Sequence, residues 1–359
     1  MSETIYRLRR MLEDSPQQAG SYKLGALPSP WDPRDYQYNR LRVASKPAQL
    51  PRKTNYKANM PPPFNQGKLG TCVAAATAWG PKAMQEVSQG DYPAEGLSVA
   101  YLYRWCKQLD DVPEKPGTYP RIAMKALQKY GVVPEVLMPY HTLTDDKNLP
   151  APPESLLEQA KQYKIKTYAE VVSPIEQDYS VRINILREAI AKEGPILAAL
   201  LVYDSFMDVK APDYIIPYPQ GYLRGGHAVC LCDYDDDRQA FRLRNTWGKQ
   251  WSDEGYAWLP YDWVTRYTDP TGYGHKMPFF MEAWTSVDIV VPRRARNITF
   301  KPGRKTAKVD GVEILLDQEP FIVPETGRMM VPVRAFGNNA GYLVRYNEAT
   351  GEAQYVTPD

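Results

Sequence analysis

Asn65-Gln66-Gly67-Lys68-Leu69-Gly70-Thr71-Cys72-Val73-Ala74-Ala75-Ala76-Thr77-Ala78-Trp79 is the stretch that decides how this chain is read. Residues 66–70 make a glycine-bearing loop. From Val73 onward the run is alanine-rich, with neither Gly nor Pro before Gly80, and predicts a buried helix. Thr71 is the expected N-cap, its hydroxyl accepting from a backbone N–H of the first turn. Cys72 then stands on that turn, where the helix dipole and unpaired N–H groups favour a thiolate. Gln66, across the turn, is placed to swing its amide back toward the sulfur. Cys72 is therefore a candidate nucleophile and Gln66 a candidate oxyanion donor. A lone Cys in an apolar helix is more often an inert core residue, so the decision rests on partners elsewhere.

The totals bound the possibilities. A chain of 359 residues is long enough for two domains, or one large domain and a module. A formal net charge of +2 argues for neither nucleic acid nor a membrane surface. The 33 Pro and 26 Tyr imply stiff, well-packed loops. Four Cys, at 72, 106, 230 and 232, leave three if Cys72 is catalytic, too few for a disulfide framework. Cys230 and Cys232 lie two apart in a strand-like run and so share a core face. With three His and no second Cys pair, no metal site is expected, and no cofactor. The first 14 residues are charged and amphipathic and lack the apolar segment of a secretory signal. No run is long enough to span a bilayer. The chain reads as cytoplasmic, with export by another route or a removed leader left open.

Along the chain, residues 15–63 are polar and Pro-punctuated, and Trp31, Tyr36, Tyr38 and Leu41 point to an arm that docks on a neighbour rather than a disordered tail. The helix after Thr71 meets Gly80-Pro81, where a kink is expected, with 82–88 continuing it. Further helices are predicted over 97–107, capped by Ser98, over 121–130, closed by Gly131, and over 183–190, closed by Gly194-Pro195. Residues 139–180 read as loop-rich and polar, with no strand assigned. Strands follow at 196–202 and 227–234, and Asp235-Asp236-Asp237 turns into a hairpin partner at 240–244. Helices first and strands later indicate an α+β fold with two lobes and a cleft between them.

A thiolate needs a base, and the base an orienter. Of the three His, His141 lies in a polar loop and His275 in a Gly-rich one. His227 opens a buried strand directly after Gly225-Gly226, where absent side chains let a substrate backbone approach. Asn245 ends the partner strand, within plausible reach of the imidazole, and fixes its tautomer without adding charge. Trp247 is placed to shield that bond from water.

At this point the chain resembles the papain-like cysteine peptidases. Residues 66–72 look like the family's Gln-Gly-x-Cys-Gly-Ser-Cys motif, Gly226-His227-Ala228-Val229 is similar to its His block, and Arg244-Asn245-Thr246-Trp247-Gly248-Lys249-Gln250-Trp251 resembles its Asn-Ser-Trp-Gly block. Pro134-Glu135 through Pro139-Tyr140 matches as well. The resemblance runs from about Leu50 to Asp288. It implies a papain-like fold: a helical lobe plus an antiparallel β-barrel-like lobe. It implies Cys72 as nucleophile, His227 as general base and acid, Asn245 as orienter, and Gln66 with the Cys72 N–H as oxyanion hole. Gly225, Gly226, Ala228 and Trp247 are then the substrate-binding residues. Leu69 stands where secreted members carry a disulfide Cys, and no partner Cys occurs near Gly117, as in a bacterial or viral branch of the family. No long inhibitory propeptide pattern precedes Leu50, so the shorter arm, 15–49, is left to cover a lobe or the cleft.

After a basic linker, Pro292-Arg293-Arg294-Ala295-Arg296, the texture turns to short strands with one helix expected over 332–340. Val309-Asp310-Gly311 and Met330-Val331-Pro332-Val333-Arg334 resemble the small module related to the N-terminal domain of copper amine oxidases. No His occurs there, so copper is not implied, and a docking role is expected. The expected organisation is an arm over 1–49, a peptidase domain over 50–290 and a small α+β module over 291–359. The expected activity is endopeptidase cleavage of peptide or protein substrates. The alternatives are a catalytically silent peptide-binding scaffold and a thiol enzyme that transfers the acyl group to an amine.

Overall fold

In the computed structural model, the described residues are 3–38, 50–175, 178–268, 277–288, 298–309, 312–316, 318–324, 329–330, 343–347 and 352–356. Contacts divide the chain into Met1–Ile289 and Val290–Asp359.

The first unit opens on α1 (Glu3–Glu13), whose Ile5, Leu8 and Leu12 are buried. The helix predicted from the Cys72 stretch is α2 (Cys72–Thr77), followed by a wider π-type turn over Ala78–Lys82 and α3 (Ala83–Gln89). The expected kink falls at Gly80, whose φ −100, ψ −107 leave the helical region. Pro81 has no N–H to donate there. Gly80 also has a packing role: a Cβ on it would stand 2.8 Å from the Cβ of Cys230. The Ser98 hydroxyl caps α4 (Val99–Leu109), accepting from the Tyr101 N–H at 3.0 Å. Pro120 opens α5 (Pro120–Lys129), and Gly131 closes it at φ +77. The last long helix is α6 (Arg182–Glu193).

Six strands form one antiparallel sheet: β1 (Ile165–Val172), β2 (Ile196–Tyr203), β3 (Leu223–Asp235), β4 (Ala240–Arg244), β5 (Tyr256–Pro260) and β6 (Phe280–Asp288), in the order β1-β6-β2-β3-β4-β5. The fold is α+β, as expected. Two expectations need correction. Residues 139–180 do hold a strand, because β1 lies within them. Strands also do not all follow the helices, because β1 precedes α6. Ile165-Lys166-Thr167-Tyr168 runs from a buried Ile through an exposed Lys to two half-buried residues, and four buried residues follow, so it lacks the clean alternation that marks a strand locally.

One apolar core gathers α2, α4 and α5; a second lies against the sheet and α6. The N-terminal segment contributes to both: Leu8, Leu12 and Ala26 to the first, Ala19, Leu24 and Tyr38 to the second. The described part of the arm is therefore docked. Burying Ile5, Leu8 and Leu12 alone is worth roughly 1.5–3 kcal/mol each before ordering costs. Cys106, Cys230 and Cys232 are free, buried core residues. Among the described residues no helix is long and apolar enough to cross a membrane.

In the second unit, Ile298–Phe300, Thr306–Val309 and Val312–Leu315 form a three-stranded antiparallel sheet, and Leu343–Asn347 pairs with Glu352–Val356. The linker expected at 292–296 and the helix expected over 332–340 lie outside the described residues.

Candidate active site

Cys72 is the first residue of α2 and is fully buried. The expected cap is not made. Thr71 adopts φ −96, ψ 12, away from the extended backbone of a capping residue, and its hydroxyl lies 2.7 Å from that of Tyr140. The Tyr140 O–H also donates to the Gln66 carbonyl at 2.8 Å, so one phenol ties both ends of the loop before Cys72.

His227 lies on β3, opposite Leu200 of β2 and beside Ala228, whose backbone N–H faces the Cys72 sulfur. Its Nε2 is 2.7 Å from Oδ1 of Asn245. That oxygen also accepts the Thr246 N–H at 2.8 Å. A backbone N–H only donates, so the Asn245 atom it meets is the oxygen, and Nε2 must carry the proton. Nδ1 is then the bare nitrogen; it is buried without a hydrogen-bond partner among the described residues. The Trp247 ring lies 4.8 Å from the imidazole at 31°, and Phe206 closes a second side edge-on at 6.4 Å. His141 is on an exposed turn, and His275 lies outside the described residues.

The Gln66 amide is fully oriented. Nε2 donates to the carbonyls of Leu69 (2.8 Å) and Lys23 (2.9 Å), and Oε1 accepts from the Thr246 hydroxyl at 2.5 Å. This Thr246 contact with Gln66 was missed by sequence reasoning; its signal was its place between Asn245 and Trp247. Lys107 was missed too. Its buried Nζ donates to the carbonyls of Val112, Lys115 and Gly117 at 2.8–3.0 Å and pairs with Asp110 at 3.0 Å. It thereby fixes the loop leading to Thr118 by polar contacts, in a chain whose four cysteines are all free.

The cleft is occupied by the chain's own arm. The Lys23 carbonyl takes the Gln66 amide, and Tyr22 stacks on Trp247 at 4.6 Å and 5°. The N–H groups of Gly25 and Ala26 donate to the Gly226 carbonyl at 3.1 and 3.0 Å. On the opposite wall the Thr118 N–H donates to the Gly25 carbonyl at 2.9 Å, and the Leu27 N–H donates to the Thr118 carbonyl at 3.0 Å. The glycines make this approach possible: a Cβ on Gly226 would overlap the Ala26 carbonyl, and one on Gly25 would overlap that of Gly70. Gly225 runs at φ +152, and a Cβ there would meet the arm's Gln17 and Leu24 at 2.8 Å. Gly225, Gly226 and Trp247 thus line the trough in which the arm lies, and Ala228 follows His227 on the same strand.

Burial sets the charge state of the thiol and the imidazole. Burial pushes the Cys72 thiol up to about 11, against the pull of the N–H groups of Ala228, Gly25 and Val73. Burial also lowers His227 to about 4, opposed by Asn245. The covered pair is a neutral thiol and a neutral imidazole, which corrects the thiolate expected from the helix terminus. The dipole is worth about 1 kcal/mol, whereas full desolvation reaches 3–5 pKa units at about 1.4 kcal/mol each.

The papain family cysteine protease model matches residues 48–266, and the copper amine oxidase N-terminal domain model matches 284–355. An uncharacterized peptidase C1-like protein of Acanthamoeba polyphaga mimivirus is 31% identical over 206 residues, 56% of this chain and 65% of its own. The cathepsin B-like CP2 of Giardia intestinalis is 35% identical over 83 residues, 22% and 27% of the two chains. The matches thus span less than two thirds of either relative. Among solved structures, xylellain, a cysteine protease from Xylella fastidiosa, superposes with a TM-score of 0.59 and 26% identity, covering 76% of this chain and 98% of that one. Since the first match takes in more than half of the sequence, and the trough, thiol and imidazole lie within it, the chain belongs to the papain family of cysteine proteases.

Proposed function

We propose that this chain is a cysteine endopeptidase held latent by its own N-terminal arm. The observation that carries the reading is the polarity of the imidazole. Nε2–H is committed to Asn245, which leaves Nδ1 as a base on the strand that borders Cys72. Once the cleft is open, the Cys72 proton passes to Nδ1 and the sulfur adds to the substrate carbonyl. Negative charge collects on its oxygen, opposite Gln66 Nε2 and the Cys72 N–H. The imidazolium returns its proton to the leaving amine as the C–N bond breaks. Water, deprotonated by the same nitrogen, then releases the acyl group and restores the thiol. Gly225, Gly226 and Ala228 take the substrate backbone on one side, and Trp247 covers the His227–Asn245 bond. Residues 50–290 are the peptidase domain in this reading, and 291–359 a docking module.

The filled trough also favours a second reading, a peptide-binding scaffold silent in catalysis. One experiment separates the two. Full-length wild type, Gly25→Val and Cys72→Ala/Gly25→Val proteins are incubated with an unstructured protein and the fragments are sequenced. The bulky Val cannot enter beside the Gly70 carbonyl, so Gly25→Val should cleave at least tenfold faster than wild type. The double variant should show no cleavage. Undiminished cleavage without the thiol rejects Cys72, and silence of Gly25→Val after its cleft is shown to be open favours the scaffold.

A further inference from the structure

Beside the loop that carries Cys72 lies a carboxylate with no part in the chemistry above. The Asp146 side chain is only 3% exposed. Its Oδ2 accepts the Gly70 N–H at 2.8 Å, two residues before Cys72. A Cβ on Gly70 would stand 3.2 Å from that oxygen and 3.3 Å from the Gly117 nitrogen. The carboxylate therefore belongs to the wall of the trough, between the two backbone edges on the helical side. The same oxygen is 2.8 Å from Nζ of Lys23. Lys23 is also the arm residue whose carbonyl meets Gln66 Nε2. A single residue thus sets its carbonyl on the Gln66 amide, the proposed oxyanion donor, and its ammonium on Asp146.

A carboxylate withdrawn from water is costly unless a cation accompanies it, and a backbone N–H brings no net charge. In the covered cleft the arm supplies the cation. Opening the cleft takes Lys23 away, while Asp146 stays, held through the Gly70 N–H and through the Tyr103 hydroxyl, which donates to the Asp146 carbonyl at 2.7 Å. We propose that the substrate refills the place: Asp146 is the specificity-determining residue of a subsite for a Lys or Arg side chain, carried by the residue whose carbonyl is attacked. An apolar side chain there would leave the carboxylate covered and uncompensated, so discrimination comes from that penalty as much as from the attraction. This inference rests on the peptidase reading, because it names the bond that the same site cuts.

The test uses full-length protein in the Gly25→Val background and two peptides that differ only in lysine against norleucine at the attacked residue. The expected ratio of kcat/KM is roughly 10- to 100-fold in favour of lysine, the range for one hydrogen bond to a charged group. Asp146→Asn, which can still accept the Gly70 N–H, should bring the ratio to threefold or less. Hydrolysis of both peptides at equal rates overturns the subsite and leaves the peptidase reading standing. If neither is hydrolysed, the peptidase reading falls, and calorimetric binding of the same peptides to Cys72→Ala/Gly25→Val decides the subsite. Tighter lysine binding that Asp146→Asn abolishes supports it; equal or undetectable binding overturns it.

Discussion

At Cys72 and His227, burial and chemistry pull in opposite directions. The thiol stays neutral until the pH climbs through about 11, and the imidazole until it falls through about 4. At pH 8 roughly one covered thiol in a thousand is ionised, against roughly one in ten for a thiol at its ordinary value of 9.0. Iodoacetamide should therefore label Cys72 about 100-fold faster in Gly25→Val than in wild type at pH 8, and the gap should close as pH approaches 11. Equal rates at pH 8 would mean the arm does not protect the sulfur. In the proposed reaction the Asn245 and Thr246 side chains act one step back from the reacting atoms. In the open protein, Asn245→Ala should lower kcat/KM by roughly 100-fold through loss of the ring tautomer. Thr246→Val frees the Gln66 amide and should cost roughly tenfold, mainly in kcat. A fall in KM alone for Thr246→Val would contradict that role.

At the scale of the element, the arm is held at two places with opposite pH responses. Over residues 17–27 it lies on Gly225, Gly226 and Trp247, which flank His227, whose pKa is lowered. The uncovered imidazole takes up a proton that the covered one refuses between pH 6.5 and 4, so this section loosens as pH falls. Farther along, the Ser29 N–H donates to Glu282 at 2.8 Å and the Gln37 amide to Glu170 at 2.5 Å. Burial raises these carboxyls to about 6 and about 7. The Ser29 and Gln37 donors pull the other way, so where the arm's burial outweighs them the docked form binds more protons above pH 4.5, and this section holds in acid and loosens as pH rises through 6–7. Hydrogen exchange corrected for intrinsic rates should show 17–27 less protected at pH 5 than at pH 8, and 29–37 the reverse. Glu282→Gln sets an NH2 against one of two pure donors, the Ser29 N–H or the Trp284 indole, and should unlock 29–37 at both values. The same Glu explains why β6 was not legible in the sequence. A carboxylate inside Phe280–Asp288 breaks the apolar pattern, and of the two donors that make it tolerable, the Trp284 indole and the arm's Ser29 N–H, the second lies more than 250 residues away in sequence. The helices were legible because Ser98, Pro120, Gly131 and Gly194 mark their ends locally. The occupant of the trough was not, since nothing in Tyr22-Lys23-Leu24-Gly25 says which surface it will meet.

Taken as a whole, the molecule is two cores and a third, smaller unit on one chain, and the spectroscopy of its residues allows them to be followed separately. All eight Trp, at 31, 79, 105, 247, 251, 258, 263 and 284, fall in Met1–Ile289, and none in Val290–Asp359. Units with their own contacts commonly unfold as separate transitions. Calorimetry of the full-length protein should accordingly show two, of which Trp fluorescence reports one. The arm contributes to both apolar cores of the larger unit, so its release should lower that transition alone. If docking is worth about 3 kcal/mol net, and each kcal/mol shifts a domain of this size by about 2–4 °C, Gly25→Val should move the fluorescence midpoint down by roughly 6–12 °C. The other calorimetric peak should stay where it is. A single transition seen identically by heat and by fluorescence would mean that the two units fold as one. An unmoved fluorescence midpoint would mean that the arm lies on the larger unit without stabilising it, and the case for latency would then have to rest on the occupied trough alone.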